Sequence, residues 1–286
     1  MYELSLFAIF KNEGHIIKEW IEHYLSEGVE HFWLIDNGST DEYEDQIKPY
    51  MDRVTLFKDS TKHQQIALYD KYVLPKINET KWIIGCDLDE FIWSTKGTLK
   101  DTLKTLDSDV GVIHIPWEQY GSSGLIEQPE KVIPSFLHRR RGTFYVETKC
   151  IVRTDVIQSL GIHYFELGND CKIVNSRFEE DIYGNHTFSE ISEEIIKNAK
   201  IRLAHYQVQS RNWYTNVKMT RGDVNIPSSE NARDDAYFKE RDTNDIFDDS
   251  LYQKKKNNKT TENGISKWVF FFIICAVLTV IFMYYN

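Results

Sequence analysis

KWIIGCDLDEFIW, Lys81 to Trp93, is the stretch that decides the fold. Trp82 to Cys86 is a short apolar run that reads as a buried strand, and it leads straight into Asp87, Asp89 and Glu90. At the carboxyl end of a strand in an open α/β sheet the chain opens onto the crevice where ligands bind. With a period of two, Asp87 and Asp89 emerge there together. Two carboxylates so placed can hold a hard divalent cation through oxygen. An Asp-x-Asp pair also occurs in plain solvated turns, but the apolar run before it and Phe91 and Trp93 after it speak against one here.

Toward the N-terminus the same pattern repeats. LSLFAIF (Leu4 to Phe10) reads as a buried strand, and HIIKEWIEHYLSEG puts Ile16, Ile17, Trp20, Ile21, Tyr24 and Leu25 on one helical face before stopping at Gly28. HFWLID (His31 to Asp36) is a second strand, and Asn37 to Asp41 a turn that Ser39 or Thr40 can cap. VTLFKD (Val54 to Asp59) is a third strand, followed by a helix from Gln64 to about Asn78. Strands alternating with amphipathic segments predict an α/β fold around a mostly parallel sheet. Lys11-Asn12-Glu13, the Asp36 turn and the Asp87 cluster then share one sheet edge. There a carboxylate such as Asp36 can accept from ribose or base donors, and a helix N-terminus supplies N–H groups.

Toward the C-terminus, VGVIHIPW (Val110 to Trp117), FYVETKCIVRT (Phe144 to Thr154) and IRLAHYQVQ (Ile201 to Gln209) show the partial alternation of more antiparallel strands. NWYTNVKMTRG reads as a helix. The expected division is a large globular domain over 1–250, a polar basic linker over 251–267 and a transmembrane helix over 268–285. WVFFFIICAVLTVIFMYY, Trp268 to Tyr285, has Thr279 as its one residue outside the hydrophobic set. As a helix it would span about 27 Å. Five lysines (254, 255, 256, 259 and 267) precede it, so the positive-inside bias predicts a single-pass membrane anchor with the large domain facing the cytosol. The opening MYELSLFAIF does not read as a signal peptide. Four scattered cysteines read as reduced residues.

The composition fits this division. The 286 residues are 41% hydrophobic and carry a net charge of −10. Residues 1 to 253 hold 29 basic against 43 acidic side chains, a net −14. Such a balance excludes sequence-independent nucleic-acid binding, and an anionic substrate would need a cation beside it.

KNEGHIIKEWIEHYLSEGVEHFWLIDNGSTD (Lys11 to Asp41) and KWIIGCDLDEFI (Lys81 to Ile92) resemble glycosyltransferase family 92 and related family-2-like glycosyltransferases. The likeness continues through PWEQYGSSG (Pro116 to Gly124), VETKCIVRTDVI (Val146 to Ile157), AHYQVQSRNWYTNVKMTRGD (Ala204 to Asp223) and FKERDTNDIFDDSL (Phe238 to Leu251). It spans about residues 4 to 251. It implies a GT-A-type nucleotide-sugar-binding sandwich with a divalent metal, manganese or magnesium, and inverting transfer of a hexose, galactose in characterised relatives. The acceptor would be a glycan or glycoprotein. Animal members are typically anchored at the N-terminus in the secretory lumen, whereas here the apolar run is C-terminal.

Carried over by motif, Asp87 and Asp89 would bind the metal and the donor, and His205 would complete the metal site. Glu13, Asp36 and Asn37 would lie near the nucleoside. Trp117 could stack on a sugar face, Gly121 to Gly124 would form a flexible loop, and Lys149 or Arg139 to Arg141 could meet phosphate. An inverting transfer needs a general base. Glu118 is the first choice, with Glu166, Asp170 and the pair Glu180-Asp181 as rivals. Two other readings stand beside this one. The chain could be a catalytically inert sugar- or partner-binding module. It could also be a haloacid-dehalogenase-like phosphatase with Asp87 as nucleophile, although Glu90 stands where that motif carries Thr or Val.

Overall fold

The computed structural model describes residues 1–182, 184–221 and 233–258. Among the described residues the strands are β1 Tyr2–Phe10, β2 His31–Asp36, β3 Val54–Lys58, β4 Thr80–Gly85, β5 Glu90–Ser94, β6 Val110–Gln119, β7 His138–Arg139, β8 Phe144–Arg153, β9 Ile157–Ser159, β10 Glu166–Leu167, β11 Lys172–Asn175, β12 Phe188–Ile191, β13 Ile201–His205 and β14 Ile246–Phe247. The main sheet has the order β3-β2-β1-β4-β8-β6-β13-β5, with β11 on β6 and β12 on β8.

The first four strands are parallel throughout, as the alternation of strands and helices predicts. β8 then lies antiparallel to both β4 and β6, and β5 lies antiparallel to β13. The stretch Trp82 to Trp93 is therefore two strands and not one. It turns at Asp87–Asp89, and its second half crosses to the far edge of the sheet.

Helix α1, Gly14–Ser26, buries Ile16, Ile17, Trp20, Ile21 and Tyr24 as its apolar spacing predicts, and Gly28 takes φ +91° two residues after it ends. Leu25 is only half-buried, whereas His23 is fully buried with Nε2 2.7 Å from the Ile92 carbonyl. Trp20 Nε1 donates to the carbonyls of Asp87 and Glu90 at 3.0 and 3.1 Å, so the helix holds the turn of the acidic motif. Another set of buried residues, among them Phe7, Ile9, Trp33, Ile35, Ile83, Val112 and Val152, packs with Leu68 and Tyr69 of the helix Gln65–Tyr72. That helix is shorter than expected, because Pro75 follows and the chain continues as a 3₁₀ helix, Leu74–Glu79.

A compact unit covers Met1–Phe247, and a second unit begins at Asp248. Residues 250–258 are helical, where composition alone reads as linker. Among the described residues no helix is long and apolar enough to cross a membrane, and the run 268–285 lies outside them.

Candidate functional site

The acidic motif sits where the end of β4 meets the end of β13. Tyr206 N–H donates to the Asp89 carbonyl at 2.8 Å, which pins the turn beside His205. His205 Nε2 lies 3.4 Å from Asp89 Oδ1, and Lys218 Nζ donates to Asp89 Oδ2 at 2.7 Å. Lys149 Nζ lies 3.0 Å from Asp87 Oδ2 and 3.4 Å from Glu90 Oε2. Arg221 Nη1 lies 2.8 Å from Glu13 Oε1. Two buried lysines and the part-buried Arg221 thus face the carboxylates of an otherwise acidic domain.

The electrostatics follow from this pairing. Burial would raise the Asp87 carboxyl, but Lys149 outweighs it and holds the group below its usual range. Burial of Asp89 is likewise overcome, by Lys218 and His205, which keep that carboxyl well below its usual value. Glu90 is completely buried, and burial, reinforced by Asp87 and Asp89 and opposed by Lys149, pushes it up to about 8. Burial lowers His205, leaving at neutral pH the uncharged imidazole that a metal requires. His163, 3.8 Å from Glu147 through Nε2, falls to about 4 through burial and then Lys149.

A metal at Asp89 and His205 is chemically consistent with these residues. Two ligands bound at about 2.1 Å to one ion sit about 3.0 to 3.4 Å apart, depending on the angle, and the observed separation is 3.4 Å. Asp87, expected as a third ligand, instead points its Oδ2 to Lys149. Among the described residues, the group of three ligand-type side chains within 4.8 Å of one another is His114, Asp181 and His186.

Several expected roles do not match the geometry. Glu118 forms a buried, two-pronged ion pair with Arg202, at 2.8 and 2.5 Å, with Arg139 at 3.9 Å. It pairs in register with Ala204, whereas Trp117 pairs with Leu203 and Gln119 with His205, so Glu118 faces away from the metal candidates. Asp36 spends Oδ1 on Ser39 N–H and Oδ2 on the Tyr43 hydroxyl, and Asn37 Nδ2 donates to the Asp59 and Thr61 carbonyls. Both stabilise their own turn. Ser39 and Thr40 bond Asn12 across the crevice edge and do not cap a helix.

Trp117 is buried, with His205 4.1 Å and His163 5.5 Å away between ring centroids, so it orients the histidines. Lys149 is buried against Asp87, which replaces the expected phosphate contact. Arg139 is held by Glu193 at 2.9 and 2.8 Å, and Arg140 stacks on Phe144. The loop Gly121 to Gly124 is clamped, since Asp242 accepts from Ser122 N–H and hydroxyl and Asn244 from Ser123 N–H. Of the rival bases, Asp181 is engaged by His114 and His186, Glu166 accepts from Ser159, and Asp170 and Glu180 are exposed.

Lys218 and Arg221 are the residues that sequence reading misses. They lie on the segment Arg211–Arg221, which contains a π-helical turn at Tyr214–Lys218 and is anchored by the small core of Val208, Trp213, Tyr214 and Phe238. Two basic residues three apart in the resembling block VKMTR were the available signal.

The family model described as glycosyltransferase family 92 matches residues 8–251. The chain belongs to glycosyltransferase family 92. A family 92 protein of Ricinus communis is 24% identical over 221 residues, covering 74% of this chain and 40% of its own length. One of Oryza sativa subsp. japonica is 25% identical over 184 residues, covering 61% and 31%. The chain therefore spans well under half of these family 92 relatives. Among solved structures, S. aureus TarS in complex with UDP overlaps 54% of this chain and 47% of its own, at 18% identity and a TM-score of 0.34. Glucosyl-3-phosphoglycerate synthase from Mycobacterium tuberculosis, crystallised with Mn2+, UDP and glucosyl-3-phosphoglycerate, overlaps 61% and 70% at 12% identity and the same TM-score. Overlaps this partial bear on neither donor nor metal. The family 92 match includes Glu13, Asp87, Asp89, Lys149, His205, Lys218 and Arg221.

Proposed function

We propose that the chain is a metal-dependent hexosyltransferase that takes a nucleotide-sugar donor and transfers the sugar, with inversion, to a glycan or glycoprotein. The observation that carries this is the buried facing of Asp89 and His205, 3.4 Å apart at the end of β4, in a chain of this family. Manganese or magnesium held by Asp89 and His205, with Asp87 beside them, would offset the diphosphate's charge and that of the leaving group. Lys218 and Lys149 keep Asp89 and Asp87 ionised and in place. Burial keeps His205 neutral, and Trp117 packs on its ring and fixes its orientation.

The proton acceptor in this reading is Glu147 in place of Glu118. Its carboxylate is one-third exposed, lies 3.8 Å from His163, and is raised above its ordinary value by burial, a shift in the direction that strengthens a base. Domain 1–250 would carry the reaction. The run 268–285 would anchor it by a single pass to the cytosolic face of a membrane, the lysines before it lying on that side. The galactose donor of characterised relatives is the first to test.

The deciding experiment is donor hydrolysis by the full chain across UDP- and GDP-hexoses, with manganese and after chelation. Metal-dependent release of the nucleotide, abolished in Asp89→Asn, is expected, and no binding or turnover with any donor would refute the reading. Glu147→Gln should lower kcat with donor KM unchanged. Glycosylation of exposed Asn78 in a eukaryotic host would overturn the cytosolic orientation.

A further inference from the structure

Beyond the crevice, His114 of β6 and the segment between β11 and β12 bring three ligand-type side chains together. Asp181 Oδ2 lies 3.0 Å from His114 Nδ1 and 3.2 Å from His186 Nε2, and the two imidazole rings are 4.7 Å apart. His114 and Asp181 are buried and His186 is half-buried. The three atoms all fall within 4.8 Å of one another.

The surroundings of His114 determine what this cluster can hold. Asn185 Nδ2 donates to the Phe165 carbonyl, which turns Asn185 Oδ1 toward His114 Nε2 at 3.4 Å. Both ring nitrogens of His114 therefore face oxygen acceptors, Asn185 on one side and Asp181 on the other. A neutral imidazole has one N–H. With Nε2–H toward Asn185 the Nδ1 lone pair faces a carboxylate, and a cation between them would make that arrangement favourable; with the proton on Nδ1 the pair is a direct hydrogen bond. One divalent ion meets the His114 Nδ1 lone pair, the His186 Nε2 lone pair and Asp181 together, with both rings neutral. Without an ion the ring is an imidazolium, because burial is outweighed by Cys150 and Asp181, which push His114 up to about 10, and a divalent ion would take that proton's place.

The distances suit the ion. Four-coordinate zinc with Zn–N and Zn–O bonds near 2.1 Å places its ligands about 3.4 Å apart. The observed pairs at 3.0 and 3.2 Å open slightly around such an ion, and all three ligand atoms already lie within 4.8 Å of one another. Two histidines and one carboxylate form an N,N,O set that selects zinc or a similar first-row divalent ion over calcium or magnesium. Asn185 would be the outer partner that orients His114, as such carbonyl groups do at zinc sites.

We infer that His114, Asp181 and His186 form a zinc site separate from the Asp89–His205 pair. Its ion ties Asp181 and His186 to strand β6. Thr187, next in the chain, accepts through its carbonyl from Thr148 N–H at 2.8 Å, directly before Lys149. Zinc at this position therefore braces the stretch of β8 that carries Lys149 to Asp87.

The test is zinc stoichiometry of the full chain, stripped with chelator and titrated with ZnCl2, by calorimetry and elemental analysis. The expected result is that His186→Gln and Asp181→Asn each bind one equivalent fewer than the parent. His205→Gln retains that equivalent whatever happens at the crevice, so failure here is distinct from failure of the proposed transferase. The affinity of the missing site should fall by at least about 100-fold. A variant-free measurement accompanies it: His186 in the parent chain should react with diethyl pyrocarbonate after chelation and be protected by zinc. A parent that binds no zinc, equal stoichiometry in His186→Gln and the parent, or unchanged labelling with zinc would each overturn the site and leave a proton only between His114 and Asp181.

Discussion

Replacing Asp89 with Asn tests the pairing at the centre of the crevice. The amide is isosteric, so no cavity forms, but the charge that faces Lys218 at 2.7 Å and His205 at 3.4 Å is gone. Lys218 has a side chain only 4% exposed, and removing one partner of such a buried pair costs about 3–5 kcal/mol. Lys218 can limit that loss by shedding its proton. Relative to an unfolded lysine near 10.4, neutralising it costs about 4.6 kcal/mol at pH 7 and about 1.9 kcal/mol at pH 9. The destabilisation of Asp89→Asn relative to the parent should thus be about 3–5 kcal/mol at pH 7 and shrink markedly by pH 9. In Asp89→Asn/Lys218→Met both charges are absent, and most of the pH 7 loss should return. Urea unfolding followed by circular dichroism at both pH values, with an unchanged denaturant slope, measures this. A loss below about 1 kcal/mol at pH 7, or a double variant as unstable as the single one, refutes the reasoning. Donor turnover should be lost in both variants, which separates the stability of the pair from its function.

Three further outcomes follow from the same geometry. Glu118→Gln should destabilise by about 3–5 kcal/mol by removing the carboxylate of its buried ion pair with Arg202, while Glu118→Gln/Arg202→Met should recover stability and keep turnover per folded molecule. Loss of turnover in the stable double variant would restore Glu118 as the base. Glu90, raised to about 8, contributes stability that is fully present below its ordinary value near 4.5 and fades as pH rises through 8. Melting of the parent should therefore fall more steeply between pH 6 and 9 than that of Glu90→Gln, and parallel curves would show that Glu90 is ionised throughout. At Gly85 an added Cβ would meet the fully buried Phe7 ring at 2.6, 3.1 and 3.2 Å. Gly85→Ala should cost about 1–3 kcal/mol in chemical denaturation and disturb the acidic motif two residues on, and a neutral substitution would mean that Phe7 can move.

The parallel half of the sheet was legible because its signals are local. Apolar runs, a helical stripe and turn residues lie within a few positions of one another, and the strands from Leu4 to Lys58 fall where those signals put them. What was hidden depends on partners far away in sequence. β8 separates β4 from β6, and Lys218 reaches Asp89 across 129 positions. No periodicity reports either. His23 on α1 is buried because β5, after the turn at Asp87, offers it the Ile92 carbonyl, so a polar residue took the place that Leu25 was expected to fill.

The misplacement of Glu118 is different, because a local rule bears on it directly. VGVIHIPWEQ, Val110 to Gln119, is a single strand, and adjacent residues of a strand point to opposite faces. Trp117 and Glu118 therefore cannot both project into one crevice from this strand. The register decides between them: Trp117 lies on the side of His205, with 4.1 Å between their rings, and Glu118 lies on the side of Arg202. The same alternation applied to β8 sets Glu147 and Lys149 on one face, and Lys149 is the residue that reaches Asp87. In the proposed reaction it is this face, with Glu147 two positions from that lysine and part exposed beside His163, that supplies the base in place of Glu118.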